Sequence, residues 1–154
     1  MTALTMIDIE KTKELGTPSH GLYTYDFQTP TGLPVSFIKF TYNVDRLKGI
    51  TVKFHGSNEQ YVAGDWSKGD YVSEISLAID DVIVKCTASI GSEGAVRGFQ
   101  LQTRNGVVWN PGFVTSEPAG FTDDNCRNRV PMGFFCKINK QFWIDSLGLW
   151  VNKR

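Results

Sequence analysis

The chain has 154 residues, of which 16 are basic and 16 acidic, so its formal net charge at pH 7 is zero. This length is typical of one domain with a substantial core, and we expect a single domain spanning residues 1–154. The balanced charge argues against nucleic acid as a partner, and no apolar run approaches the roughly 20 residues needed to span a membrane.

Apolar and polar side chains alternate with a period of two along most of the chain, which predicts short β-strands joined by glycine-rich turns. In chain order, the predicted strands are residues 3–10, 22–28, 35–42, 50–55, 71–79, 82–88, 96–103, 107–109, 132–138 and 141–151. Asn105-Gly106 is the strongest hairpin signal, since a type I′ turn needs a positive φ at both central positions. About ten to twelve strands without a convincing helix predict an all-β sandwich, barrel or prism.

Two segments do not fit this pattern of strands and turns. Residues 110–129 are long, irregular and rich in Gly, Pro, Asp and Asn, and we expect them to hide an irregular strand or to cover a sheet edge. Residues 1–13 include Asp8 and Glu10 and lack the basic start and apolar core of a secretory signal. We therefore expect the protein to be cytoplasmic, or exported without a signal peptide.

The three cysteines, Cys86, Cys126 and Cys136, cannot all pair within one chain. In the absence of a secretory signal, we expect free thiols in a reducing compartment. A Cys126–Cys136 disulfide stays open as the alternative for an exported chain, because the sequence does not fix the distance between the two residues.

Motifs for catalysis or metal binding are scarce. His20 and His55 stand far apart and outside any metal-ligand spacing, and the sequence contains neither a nucleophile elbow nor a phosphate-binding glycine loop. Asp80-Asp81 is better explained as a turn than as part of a calcium loop, which needs about five or more oxygen ligands. A cysteine–histidine nucleophile pair stays open, because its members meet only in space. The sequence predicts a protein that is not an enzyme and that uses no metal or other cofactor.

The last predicted strand carries the best candidate for a binding site. Phe142 and Trp143 stand next to Asp145, where a polar loop becomes a strand. An aromatic ring can face the apolar side of a pyranose while a carboxylate accepts hydrogen bonds from two hydroxyls, so the pattern favours a sugar ligand. A core role for the rings and a turn-capping role for the aspartate fit the same residues. The loops at residues 16–21 and 89–94 could meet this site at one end of a prism.

The order and spacing of several motifs resemble those of a jacalin-related lectin domain over about residues 15–152. Residues 141–145 occupy the place of that family's glycine, three variable residues and aspartate. Residues 146–151 resemble its closing strand, and residues 133–137 resemble the strand before it. Residues 96–106 resemble one of its hairpins.

The resemblance implies a β-prism of three four-stranded antiparallel sheets with pseudo-threefold symmetry and one metal-independent carbohydrate site. Asp145 would accept hydrogen bonds from two sugar hydroxyls, while Phe142 and Trp143 would offer backbone amides and a ring. The implied carbohydrate-binding residues are Gly21, Ser92, Glu93, Gln141, Phe142, Trp143 and Asp145. Within this family an uncut first strand goes with mannose- or glucose-type specificity, so the implied partners are glycans or glycoproteins of that kind.

Two departures from the family pattern fall in the implied pocket. Gln141 replaces the motif glycine, and its side chain crowds the pocket or alters the backbone if a positive φ is needed there. The loop of residues 16–21 has glycines only at its two ends. These departures favour an alternative, in which the prism is a protein-interaction module and homo-oligomer with a degenerate sugar site. Trp66 and Trp109 are candidates for the exposed aromatic patch that this alternative requires.

Overall fold

The computed structural model describes residues 8–16, 22–44, 46–64, 71–91, 94–113, 119–120, 126–140 and 143–152. The strands are β1 (Ile9–Lys11), β2 (Leu15–Gly16), β3 (Tyr23–Gln28), β4 (Val35–Asn43), β5 (Arg46–Phe54), β6 (Tyr61–Gly64), β7 (Tyr71–Ser76), β8 (Ile83–Ile90), β9 (Val96–Thr103), β10 (Val108–Trp109), β11 (Ala119–Gly120), β12 (Pro131–Ile138) and β13 (Ile144–Asn152). Among these residues, no helix has the length and apolar character that a membrane span requires.

The strands form three antiparallel sheets, each built around a central hairpin. The first sheet has the order β1-β13-β12-β3, the second β6-β5-β4-β7 and the third β10-β9-β8-β11. In the first sheet, β1 and β2 both pair with β13, at residues 150–152 and 146–147 respectively. They are therefore two pieces of one edge strand, and each sheet is four strands wide. This architecture confirms the β-prism that the resemblance implied.

The three central hairpins share an irregularity in register close to the turn that joins their strands. In each hairpin the pairing skips one residue of the second strand, which forms a β-bulge there. The skipped residues are Asp145 in β13, Lys48 in β5 and Arg97 in β9, which we call the three bulge residues. Because the bulge recurs at the equivalent position in three hairpins of different sequence, it is evidence of the pseudo-threefold symmetry of the prism.

A glycine next to the hairpin packs against each bulge residue. Gly16, Gly64 and Gly112 have φ angles of 106°, 80° and 82°, in the region that favours glycine. A Cβ atom at each of these positions would overlap the carbonyl oxygen of the bulge residue in the same sheet. The chain therefore needs glycine at three symmetry-related points, where a neighbouring segment closely approaches the backbone of a bulge.

The core lies between the three sheets, and aromatic rings from all of them meet in it. The ring centroids of Phe40 and Phe99 are 5.5 Å apart, and those of Phe99 and Phe134 are 6.3 Å apart. Trp109 stacks on Phe40 and is only 7% exposed. Its indole N–H donates to Ser73 Oγ at 2.8 Å, so the polar edge of the ring has a partner inside the protein. The prediction that Trp109 belongs to an exposed patch is therefore wrong.

The bulge at Asp145 makes the final strand differ from the predicted one. The strand begins at Ile144 rather than at residue 141, and Ile144 and Leu147 both belong to the core. Simple alternation places these two residues on opposite faces of the sheet. The extra residue in the bulge reverses the alternation between them and brings both side chains inward.

Strand β5 also differs from its predicted extent, whereas residues 110–129 contain the kind of strand that was expected. Strand β5 begins at Arg46 rather than at residue 50, because the turn that precedes it is shorter than its polar composition indicated. Within residues 110–129, β11 pairs with β8 as an edge strand, which confirms the expectation of an irregular strand there.

The three cysteines are buried and free, so the alternative of a Cys126–Cys136 disulfide is wrong. Burial raises the pKa of the Cys136 thiol to about 12, with a smaller contribution from the carboxylate of Glu14. Burial also raises the pKa of Cys86 well above its usual range, with the neighbouring Cys126 adding to the rise. Cys86 and Cys136 are therefore neutral near pH 7 and serve as small apolar groups of the core.

Candidate functional site

The turns of the three central hairpins lie at one end of the prism, where side chains connect them. The guanidinium carbon of Arg46, at the start of β5, lies 3.4 Å from the centre of the Trp143 ring, which precedes β13. Arg97 of β9 donates from Nε to the carbonyl oxygen of Val44 at 3.4 Å. The hairpin of β4 and β5 is therefore joined to the other two hairpins by one arginine each.

Asp145 lies at this end as the bulge residue of the first sheet, and the adjoining turn holds its carboxylate. Asn139 donates from Nδ2 to Asp145 Oδ1 at 3.1 Å. The Oδ1 atom of the same asparagine accepts the backbone N–H of Trp143 at 3.2 Å. A single asparagine thus closes the turn and orients the carboxylate. Because Asp145 is only 3% exposed, its carboxylate is a recessed acceptor rather than a surface charge.

The Trp143 ring is half-buried, and Arg46 covers one of its faces. A guanidinium over an aromatic face is attracted by the ring quadrupole, by about 0.5–1 kcal/mol at partly exposed sites. While this contact holds, the covered face is closed to a sugar. The expectation that Trp143 offers its ring as a platform therefore stays a prediction for the opposite face.

The segment that leads into the first loop is fixed against the bulge at Asp145. Gly16 pairs with Ser146 and lies against the carbonyl oxygen of Asp145. The Ser146 hydroxyl donates to Glu14 Oε2 at 2.6 Å and ties the residues before Gly16 to the final strand. Strand β2 also lies beside β8, which leads into the predicted loop at residues 89–94.

Of the predicted binding residues, the structure brings together Trp143 and Asp145. The others, Gly21, Ser92, Glu93, Gln141 and Phe142, lie outside the described residues, as do Trp66 and His20. The ring of His55 bonds through Nε2 to the carbonyl oxygen of Leu77 at 2.8 Å, which gives it a structural role. Within the described ranges, no three potential metal ligands gather in one place.

Sequence reasoning did not assign Asn139 or Arg46 to the site. A signal for Asn139 was present, because asparagine side chains commonly bond to nearby backbone groups in turns. No such signal existed for Arg46, which is distant in sequence and reaches Trp143 only because the prism brings two hairpin turns together.

The other two bulge residues carry the opposite charge from Asp145. The pseudo-threefold symmetry places Lys48 and Arg97 at the positions equivalent to that aspartate. Ammonium and guanidinium groups donate hydrogen bonds and accept none, so neither can receive sugar hydroxyls as a carboxylate does. Among the three bulge residues, Asp145 alone has a side chain that accepts hydrogen bonds.

No protein-family model matches the chain, and no curated protein matches its sequence. Solved structures match its fold over nearly the whole length. Calsepa lectin in complex with a bisected glycan has a TM-score of 0.72 at 14% identity, covering 98% of this chain and 100% of that one. Wild-type Malaysian banana lectin has a TM-score of 0.70 at 18% identity, covering 96% and 100%. Single-chain recombinant jacalin has a TM-score of 0.72 at 17% identity, covering 99% and 98%. The chain therefore has the fold of the jacalin-related lectins, as its sequence motifs indicated.

Proposed function

We propose that this chain is a lectin that binds neutral sugars at the end of the prism that holds Asp145. The observation that carries the proposal is the bulge, where Asn139 holds the recessed carboxylate of Asp145 while Gly16 packs against the backbone carbonyl of the same residue. A fixed carboxylate accepts charge-assisted hydrogen bonds from adjacent hydroxyls, and its partial desolvation strengthens them. The match to Calsepa lectin with its bisected glycan supports this ligand class.

The proposed mechanism is reversible binding, without catalysis and without a metal ion. Asp145 accepts hydrogen bonds from two hydroxyls, and the backbone and ring of Trp143 line the site beside it. Gly21, Ser92, Glu93, Gln141 and Phe142 are the further proposed contacts. We propose mannose- or glucose-type glycans as ligands, and binding that is unchanged by a chelator.

The proposed site should bind a single sugar weakly. A few hydrogen bonds in a small pocket correspond to a dissociation constant on the order of 1 mM, or about −4 kcal/mol. Useful affinity for a glycoprotein then requires several sites on one particle, such as a homo-oligomer of this chain. Branched glycans on a dense surface are therefore better probes than a free monosaccharide.

A glycan array with the protein and its Asp145→Asn variant tests the proposal. The substitution preserves shape but removes the charge and one acceptor, so we expect binding to mannose- or glucose-terminated glycans to disappear. Asp81→Asn is the matched control. Asp81 is 4% exposed and accepts the Asn105 backbone N–H at 3.1 Å, at the opposite end of the prism. Glycan binding that survives in folded Asp145→Asn would refute the assignment of the site.

The alternative is a protein-interaction module with a degenerate sugar site. It is favoured by the contact of Arg46 with Trp143, which closes one face of the ring, and by Gln141 in place of the motif glycine. This alternative predicts that the folded protein binds no glycan on the array. It also predicts a stable homo-oligomer in size-exclusion chromatography with light scattering.

A further inference from the structure

Three aromatic side chains are in mutual contact at the turn end of the prism and are partly exposed. The rings of Tyr42 and Tyr71 stack, with centroids 5.5 Å apart and an interplanar angle of 24°. Phe113 stands edge-on to both, at 6.3 Å from each. Tyr71 is 48% exposed and Phe113 is 37% exposed. Contiguous exposed apolar surface of this kind commonly marks a binding site.

Arg97 lies directly beside this aromatic cluster. Its carbonyl oxygen accepts the backbone N–H of Phe113 at 3.3 Å. Its side chain extends to the turn that follows β4. There, Nε donates to the carbonyl oxygen of Val44, two residues beyond Tyr42. The backbone of Arg97 therefore adjoins Phe113 while its guanidinium is held at the turn that follows Tyr42, with further N–H donors in its planar fork.

The position of Arg97 in the fold determines the chemistry it can recognise. It is the bulge residue of the third sheet, equivalent by symmetry to Asp145. A carboxylate at this position accepts hydrogen bonds from neutral hydroxyls, whereas a guanidinium binds carboxylate and sulfate groups in bidentate fashion. Aromatic faces beside it suit the apolar C–H side of a sugar ring.

We propose that Arg97, Tyr42, Tyr71 and Phe113 form a second saccharide site, for glycans that carry a carboxylate or sulfate group. The guanidinium pairs with the anion, and the exposed rings of Tyr71 and Phe113 pack against the sugar that bears it. This site shares no residue with the proposed Asp145 site. It rests on the proposed lectin function only because it takes glycans as its ligand class.

The test compares neutral glycans with sialylated and with sulfated versions of the same glycans, on an array and by titration. We expect the anionic versions to bind about tenfold more tightly, the gain typical of one charge-assisted pair. Arg97→Gln should abolish that gain and leave the binding of neutral glycans unchanged. Arg104→Gln is the control, since Arg104 is an exposed arginine at the opposite end that donates to Asn128 Oδ1. The class of glycan that shows the tighter binding, sialylated or sulfated, identifies the anion as a carboxylate or a sulfate group.

A second variant tests the aromatic contribution. Tyr71 is half exposed, so Tyr71→Ala should remain folded, as checked by its melting temperature, and should weaken binding of the anionic glycans several-fold. An anionic gain that survives Arg97→Gln would overturn the proposal. So would equal, Arg97-dependent binding of an acidic peptide without sugar, because the site would then recognise charge alone.

The outcomes separate this proposal from the first one. If neutral glycans bind through Asp145 and anionic glycans bind no more tightly, the lectin function is retained and the second site is overturned. If anionic glycans bind through Arg97 and neutral glycans do not bind, the second site is retained and the assignment of Asp145 is overturned.

Discussion

The guanidinium carbon of Arg46 lies 3.4 Å from the centre of the Trp143 ring, so a residue of the second sheet covers an aromatic face in the first. Asn139 holds the backbone N–H of Trp143 and also bonds to the carboxylate of Asp145. Arg46, Trp143, Asn139 and Asp145 are thus linked in series through one turn and one cation–π contact. Rigid placement of this kind lowers the entropy lost when a weak ligand binds.

We expect the Arg46–Trp143 pair to contribute a measurable coupling energy. In a double-mutant cycle with Arg46→Gln and Trp143→Leu, urea unfolding should give an interaction energy of about 0.5–1 kcal/mol. Arg46→Lys should retain part of it, because an ammonium keeps the charge but loses the planar stacking. Additive effects in the cycle would show that the contact adds no stability. The pair Lys53 and Phe37, with its cation 4.7 Å from the ring centroid, provides a comparison outside the site.

Glycine at the symmetry-related close approaches should be required for stability. At Gly64, with φ at 80°, a Cβ atom would overlap the carbonyl oxygen of Lys48. Gly32 has a similar φ of 77° but no atom within 4 Å of its Cβ position, so it separates backbone strain from steric overlap. We expect Gly32→Ala to cost about 1 kcal/mol and Gly64→Ala about 2 kcal/mol more, measured by urea unfolding. Equal losses would mean that the backbone moves away without cost.

Much of the prism was predictable from the sequence, because a period of two and glycine-rich turns are local signals. Strands such as β4 and β9 lie close to their predicted positions. The bulges were not predictable, since a single extra residue is recognised only from the register of its partner strand. For that reason simple alternation places Ile144 and Leu147 on opposite faces, although both belong to the core, and the equivalence of Asp145, Lys48 and Arg97 is visible only in the structure.

The site was predictable only in its local part. Trp143 and Asp145 belong to one short segment with a motif-like pattern, and the structure places both at the turn end. The contact of Arg46 with Trp143 and that of Arg97 with Val44 depend on how three sheets converge, which sequence spacing does not encode. Trp109 was misassigned because composition does not distinguish a buried tryptophan with a hydrogen-bonded indole from an exposed one.

The outer face of the first sheet contains a ring that lies directly on a glycine. A Cβ atom at Gly148 would overlap the Phe135 ring, which also has Lys11 Nζ 4.6 Å from its centroid. We expect Gly148→Ala to lower the free energy of unfolding by about 2 kcal/mol through overpacking. Phe135→Leu should relieve most of that loss, so the double variant should be more stable than the sum of the two single changes predicts. Strict additivity in urea unfolding would contradict the proposed clash.

The buried thiol of Cys136 should make stability fall in alkaline solution. Its pKa is about 12 in the folded protein against 9.0 for the free group, mainly because burial disfavours the thiolate and secondarily because Glu14 repels it. The unfolded chain therefore loses this proton first, so the contribution to stability is complete below about pH 9 and is lost as the pH rises toward 12. Between about pH 9 and 10.5, the wild type should lose about 1.5 kcal/mol more than Cys136→Ala, in which this group does not titrate. Urea unfolding of both proteins at each pH measures the difference, and the other titrating groups cancel because both proteins share them. Parallel losses in the two proteins would show that Cys136 does not stay protonated in the folded state.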